Sequence, residues 1–186
     1  MEHKGTKTLE TERLILRPFT INDAEAMYHN WANDPEVTEY LSWSAHESVN
    51  VTSKILKSWV TQYEDLEYYQ WAITLKEEDN MPIGSISIVG KKELIKSVSM
   101  GYCIGKRWWS KGITSEALTI LIKFFFEEVG VNRLVAEHDP ANPNSGKVME
   151  KCGFKYEGTL RSAIWTPHQG LTDSVVYAIL AEDYKQ

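Results

Sequence analysis

Residues 106–130 read KRWWSKGITSEALTILIKFFFEEVG. Trp108 and Trp109 run into Ser110, Lys111 and Gly112, and a strongly apolar run follows. The first amides of a helix have no intrahelical acceptor and carry the positive end of the helix dipole. Small residues let an anion come close to them. The segment Lys111-Gly112-Ile113-Thr114-Ser115 therefore reads as a cradle for a phosphate or diphosphate. The same residues also fit a tight strand-to-helix turn capped by Thr114 or Ser115, with Glu116 in the first turn. Neither GxxxxGK[ST] nor GxGxxG is present, so the loop is not one of the two common nucleotide signatures.

A second polar constellation lies downstream, NPNSGKVMEKCGF over 142–154. Asn142 is a good N-cap, Pro143 suits the first helical position, and Gly153 can stop the helix. Lys147 and Lys151 are four apart and share a face. They could neutralise phosphates, although a solvated face is the reading favoured for Lys151. The five histidines have no HExxH or paired spacing, which argues against zinc.

The elements that position these groups follow from pattern. Thr8–Arg17 reads as a strand running to Pro18. A helix over about 23–32 starts at Asn22 or Asp23, one short helical turn fits NDPEVTEYLSW, and Val51, Ile55, Trp59 and Tyr63 place a helix over 47–69. Strands are expected at 68–76, 82–90 and 96–105, the first two joined by a hairpin turn. Gly112–Val129 is a helix apolar on nearly every side, hence buried. A strand at 132–138, the short helix at 142–154 and strands at 154–164 and 172–181 complete the chain. Antiparallel strands followed by a β-α-β-α-β segment mean a mixed sheet with helices against it.

With 186 residues, 42% apolar and 25% charged, the chain reads as one domain, 1–186, with enough length for a sizeable core. A net charge of −6 argues against nucleic acid as partner and mildly favours a cationic one. No apolar run reaches membrane-spanning length, and the start carries no apolar leader. Cys103 and Cys152 then read as free thiols in a reducing, cytoplasmic compartment. The sequence leaves open whether the chain is a homo-oligomer.

Several segments in order resemble the GNAT N-acetyltransferases, within them the ribosomal-protein alanine N-acetyltransferases of Rim type: LETERLILRPFTINDAE, NDPEVTEYLSW, WAITLK…PIGSISI, GYCIGKRWWSKGITSEAL, NRLVAEHDPANPNSGKVMEKCGF and YEGTLR. The resemblance implies an α+β (mixed α/β) fold. Its central, mostly antiparallel splayed mixed sheet has about seven strands and about four flanking helices. It implies acetyl-CoA as cofactor, no metal, and an amine acceptor: a protein N-terminus or a small amine such as a polyamine, amino acid or drug. A non-catalytic acyl-CoA-binding protein is the remaining alternative. The family loop (Q/R)-x-x-G-x-(G/A) falls on Trp109, Ser110, Lys111, Gly112, Ile113 and Thr114, whose amides, with Ser115, would hold the diphosphate. The edge of Tyr102-Cys103-Ile104 would pair with the amides of pantetheine, as an added strand does. Trp109, Ser110 and Thr114 depart from the family pattern, and β-branched Thr114 narrows the loop.

Acetyl transfer to an amine must remove an ammonium proton, stabilise the oxyanion and protonate the leaving thiolate. An α-amine, with a reference pKa of about 7.7–8.0, is roughly one-tenth free at neutral pH, whereas lysine, at about 10.4, is well under a thousandth free. A weak base then suffices for a protein N-terminus. By resemblance, Glu137 is the candidate base, with Asp139 and Glu36 as lesser substitutes; Ser145 is the candidate acid and Asn142 positions a water or the cofactor. Asn142, Ser145 and Lys147 would also touch the cofactor. Each has a plainer reading: Glu137 as a surface strand carboxylate, Asn142 as a cap, Ser145 as a first-turn polar residue. Tyr156, the other candidate acid, reads as core packing. Trp31, Trp43, Trp59 and Trp165 are candidates for the acceptor cleft or for the core, and Cys103 for a small buried apolar residue.

Overall fold

The computed structural model describes residues 1–185. Its eight strands form one sheet in the order β1-β2-β3-β4-β5-β6-β8-β7. They are β1 (Leu9–Glu10), β2 (Leu14–Pro18), β3 (Gln70–Leu75), β4 (Pro82–Lys92), β5 (Ser97–Ile104), β6 (Arg133–His138), β7 (Lys155–Thr166) and β8 (Gly170–Leu180). The helices are α1 (Ala24–Met27), α2 (Pro35–Thr38), α3 (Val49–Val60), α4 (Ile113–Phe124), α5 (Pro143–Lys151) and α6 (Ala181–Tyr184). The mixed, mostly antiparallel sheet is the one expected, with one more strand and two more short helices. The extra strand arises because Thr11–Arg13 turns the first stretch back on itself, so Leu9 pairs with Leu16. The helix expected at 47–69 stops at Val60, and a chain of turns carries 61–67 to β3.

The helix readings over 23–32 and 112–129 hold in outline but change pitch. α1 passes into a π-helical turn, Tyr28–Ala32, and α4 into another, Phe125–Val129. Asp23 does not cap α1 with its side chain; its carboxylate accepts from the Thr20 N–H at 2.7 Å and from Arg17 at 2.8 Å. In α2 the cap is made: Asp34 Oδ1 accepts from the Glu36 N–H at 2.9 Å.

All neighbouring strands are antiparallel except β5 and β6. A parallel pair needs a crossover, which α4 supplies. Its apolar surface goes under the sheet, where Leu118, Leu121, Phe124 and Phe125 pack with Leu16, Trp71, Ile86, Val98 and Leu134. Phe125 meets Tyr69 at 5.1 Å between ring centres and Phe124 meets Trp71 at 5.9 Å, both edge-on. The opposite face is covered by α1, the turn after it and α3, around Phe19, Met27, Trp31, Leu56 and Ala72. Trp31 and Trp59 thus belong to this second core, Trp59 against Phe19 at 5.2 Å. Among the described residues no helix is long and apolar enough to cross a membrane.

The feature that matters for function is where β5 and β6 part. They pair from Ser97↔Arg133 to Met100↔Ala136 and no further. β5 then runs on to Ile104, held by β4 alone, while β6 runs to His138, held by β8. The sheet opens there into a V. One lip is the unpaired edge of Gly101–Ile104 and the other is the end of β6 leading to α5.

Candidate active site

The loop of residues 105–112 closes the first lip. A 3-10 turn, Lys106–Trp108, follows β5, and Trp108 is buried in the main core. Trp109 is 41% exposed, yet its indole N–H donates to the Ile104 carbonyl at 2.8 Å, pinning the loop to the strand it leaves. Ser110 has φ 60 and Gly112 φ 74, two left-handed residues in three. Gly112 is the N-cap of α4 and no side chain caps the helix. The expected caps, Thr114 and Ser115, are therefore not caps: a glycine N-cap offers no oxygen. No backbone carbonyl among the described residues accepts from the amides of Lys111 to Ser115. They are left for an external acceptor.

Cations surround this point. A Cβ at Gly112 would stand 3.7 Å from Arg13 Nη2 and 3.9 Å from Lys151 Nζ. Lys151, expected on a solvated face, is thus the α5 lysine that reaches the loop. Lys147 instead donates to Asn144 Oδ1 at 3.3 Å. Arg13 carries no local sequence signal, because its partners Lys111 and Glu116 lie about a hundred residues on.

Across the V, Tyr102 on β5 reaches α5. Its hydroxyl lies 3.0 Å from both the carbonyl and Oγ of Ser145. Tyr102 was expected to contribute backbone only, so this phenol was missed; a tyrosine in a strand gives no hint of what it will meet. Burial pushes its phenol far above the ordinary value, against a smaller opposing effect of the Ser145 hydrogen bond, so it stays protonated and able to donate. Cys103 points to the other face, 3.4 Å from Ser85 Oγ, and burial pushes its thiol up. That is a small packed residue, as expected, and a poor nucleophile.

The second lip carries the other candidates. β6 alternates, with Leu134, Ala136 and His138 buried toward α4 and α5 and Glu137 exposed on the opposite face. Gly146 of α5 lies so close to His138 that a Cβ would stand 2.7 Å from Nε2, and only glycine lets α5 seat there. Ser174 of β8 donates to Glu137 Oε2 at 2.7 Å and orients it. Asn142 is the N-cap of α5 by position, its carbonyl accepting from the Ser145 N–H at 3.2 Å, but its side chain makes no capping bond. Of the lesser bases, Glu36 is paired with Lys106 at 2.5 Å and Asp139 Oδ1 accepts from the Ala141 N–H at 2.8 Å. The structure thus joins Tyr102 directly to Ser145 and sets Glu137 on the opposite face of the sheet.

One aromatic expectation changes, and one of two alternatives falls. Tyr156 is exposed rather than core, its hydroxyl 3.1 Å from Thr159 Oγ1. Trp165 is exposed on the β7–β8 hairpin. Trp43 alone of the four cleft candidates is half-buried beside a polar partner, 5.1 Å from the His46 ring.

Comparison with known proteins agrees with this geometry. The family described as "Acetyltransferase (GNAT) domain" matches residues 13–155. "Uncharacterized N-acetyltransferase YoaA" of Bacillus subtilis is 30% identical over 175 residues, covering 92% of this chain and 96% of that protein. The "[Ribosomal protein uS5]-alanine N-acetyltransferase" of Escherichia coli is 32% identical over 85 residues, 46% of this chain and 43% of that one. The crystal structure of a GNAT-family acetyltransferase from Bacillus anthracis superposes with a TM-score of 0.81 at 26% identity, covering 95% of this chain and 99% of that one.

Proposed function

We propose that this chain, which belongs to the GNAT acetyltransferase family and is an N-acetyltransferase, uses acetyl-CoA to acetylate a protein's N-terminal α-amine by direct transfer. The junction of β5 and α4 carries the cofactor half of this reading. There, amides without an acceptor, a left-handed glycine and the Lys151 ammonium converge, with Arg13 ion-paired to Glu116 beside them. That combination fits a diphosphate. The open edge of Tyr102–Ile104 fits the amides of the pantetheine arm. Acetyl-CoA supplies the activated acetyl thioester.

The chain's own groups do the rest. Glu137 takes the proton from the incoming ammonium, directly or through one water. The Ser145 hydroxyl hands its proton to the departing sulfur while the Tyr102 phenol, in hydrogen-bond contact with Ser145 Oγ, stays protonated and donates to it, and solvent returns the proton to Ser145. Asn142, whose amide is not spent on capping, positions a water or an amide of the cofactor. The partial likeness to the uS5-alanine enzyme supports an α-amine acceptor. An α-amine also asks least of a single carboxylate base. A small-molecule amine is the second reading, favoured by the acidic balance, net −6.

The test is thiol release from acetyl-CoA with two sets of acceptors. One is short peptides with free Ala, Ser or Met N-termini; the other is polyamines, amino acids and aminoglycosides. Turnover with the peptides that vanishes when their N-termini are blocked supports the α-amine reading. Turnover with small amines alone rejects it.

A further inference from the structure

Arg13 stands at the start of β2, outside every segment that the loop pattern spans. Its guanidinium nevertheless grips the loop from two sides. Nη1 donates to the Lys111 carbonyl at 3.1 Å, Nε donates to Glu116 Oε2 at 2.7 Å, and Nη2 lies 2.6 Å from the same oxygen. Glu116 in turn accepts from Thr11 Oγ1 at 2.5 Å and from the Arg13 N–H at 3.1 Å. Burial pushes the Glu116 carboxyl up, but these bonds more than reverse it and hold it below the usual carboxylate range. The β1–β2 turn is thereby tied to the first turn of α4 and to the loop before it.

Two consequences follow from elementary geometry. In a trans peptide the C=O and N–H point in opposite directions. With the Lys111 carbonyl held toward Arg13, the Gly112 N–H points away from it, toward the side left open for an anion. Gly112, left-handed here, can adopt the opposite φ at little cost. Without the grip, that peptide can flip and present its carbonyl, the wrong charge, to a phosphate. The second consequence concerns Glu116. A free carboxylate in the first turn of α4 would repel an anion at the helix start, and Arg13 neutralises it.

We propose that Arg13 is a positioning residue for the diphosphate, latching the Lys111–Gly112 peptide with its amide outward and masking Glu116. The proposal rests on the reading of this loop as the diphosphate site. It assigns Arg13 to cofactor affinity and not to the acetyl-transfer step.

The test compares wild type, Arg13→Lys and Arg13→Ala. Calorimetry gives CoA affinity. With an accepted amine, kinetics give kcat and KM for acetyl-CoA, and inhibition by CoA and by pantetheine, which lacks the phosphates, gives the ratio of their constants. Arg13→Ala should weaken CoA binding and raise KM roughly 10- to 100-fold, the range that one charge-assisted hydrogen bond spans. Its kcat should stay within about 3-fold and its pantetheine constant near that of wild type, so the ratio collapses. Arg13→Lys keeps the charge but not the fork and should recover only part of the loss. Adding Glu116→Gln to Arg13→Ala should also recover part, because the bared carboxylate is gone. CoA affinity unchanged in both Arg13 variants overturns the proposal. So does an equal loss for CoA and pantetheine, the mark of a merely loosened fold. A wild-type protein that does not bind CoA would overturn the underlying reading of the loop, and that result is read before any variant is made.

Discussion

The two lips of the V are built from different materials. The β5–α4 lip works through its backbone: an unpaired strand edge, a row of amides and two left-handed residues, braced from behind by Arg13, Glu116 and the Trp109 indole. The β6–α5 lip works through side chains, Glu137 set by Ser174 on one face and Ser145 met by Tyr102 on the other. Backbone groups are the same in every sequence, so the first lip can hold one invariant ligand while its side chains drift. Side chains on the second lip can be exchanged one at a time. The first is therefore suited to a ligand met by backbone groups, the second to chemistry that particular side chains supply.

The sharpest way to break this contrast is to change the second lip. Glu137→Gln keeps the Ser174 contact possible but removes the base, and kcat should fall about 100-fold or more at neutral pH. KM for acetyl-CoA should barely move. The loss should shrink as pH rises toward the amine's own pKa, where solvent has already taken the proton. Full activity in steady-state assays would strike Glu137 from the mechanism. Ser145→Ala should lose about 10- to 100-fold in kcat, the lower part of the range for a proton donor. Tyr102→Phe should lose less, since the phenol acts through Ser145. The double variant should be no slower than Ser145→Ala alone; a multiplicative loss would mean that Tyr102 acts by another route.

The first lip should answer in the other parameter. Gly112→Ala introduces a methyl with ordinary contacts, 3.7 Å to Arg13 and 3.9 Å to Lys151, so the empty loop can accommodate it. Its left-handed backbone costs a non-glycine residue about 1 kcal/mol, and the methyl crowds the loop that would take the phosphates. CoA affinity in a calorimetric titration should drop roughly 10-fold, the equivalent of about 1.4 kcal/mol, while kcat at saturation holds. A fall in kcat with affinity intact would dissolve the division between the lips.

That division also explains what the sequence disclosed. Gly112 at the head of an apolar run announced the helix start and its free amides because the backbone requirement is local and the residue type narrow. The sheet, β6, α5 and its Pro143 start were legible for the same reason. Arg13 and Tyr102 were not, because their partners, Glu116 and Ser145, lie far along the chain and come near only through packing. Lys147 and Lys151 show the limit of face arguments: four apart on one helix, one bonds Asn144 and the other lies beside Gly112. The break at Thr11–Arg13 was missed since an arginine in an alternating run looks like strand, while its real work is with α4.

Ser110 offers the finest test, on the lip whose chemistry should be indifferent to side chains. It is left-handed, φ 60, without being glycine. Ser110→Gly relieves strain of about 1–2 kcal/mol but frees the unfolded chain by about 0.5–1 kcal/mol. The net gain should lie between about 0 and 1.5 kcal/mol, at most roughly 3–6 °C in melting temperature. Ser110→Ala keeps the strain and removes only the hydroxyl, so it should leave both melting and CoA affinity within error. If Ser110→Ala instead weakens CoA binding severalfold while Ser110→Gly does the same, the hydroxyl is a ligand contact, and the backbone-made lip has acquired a side-chain reader.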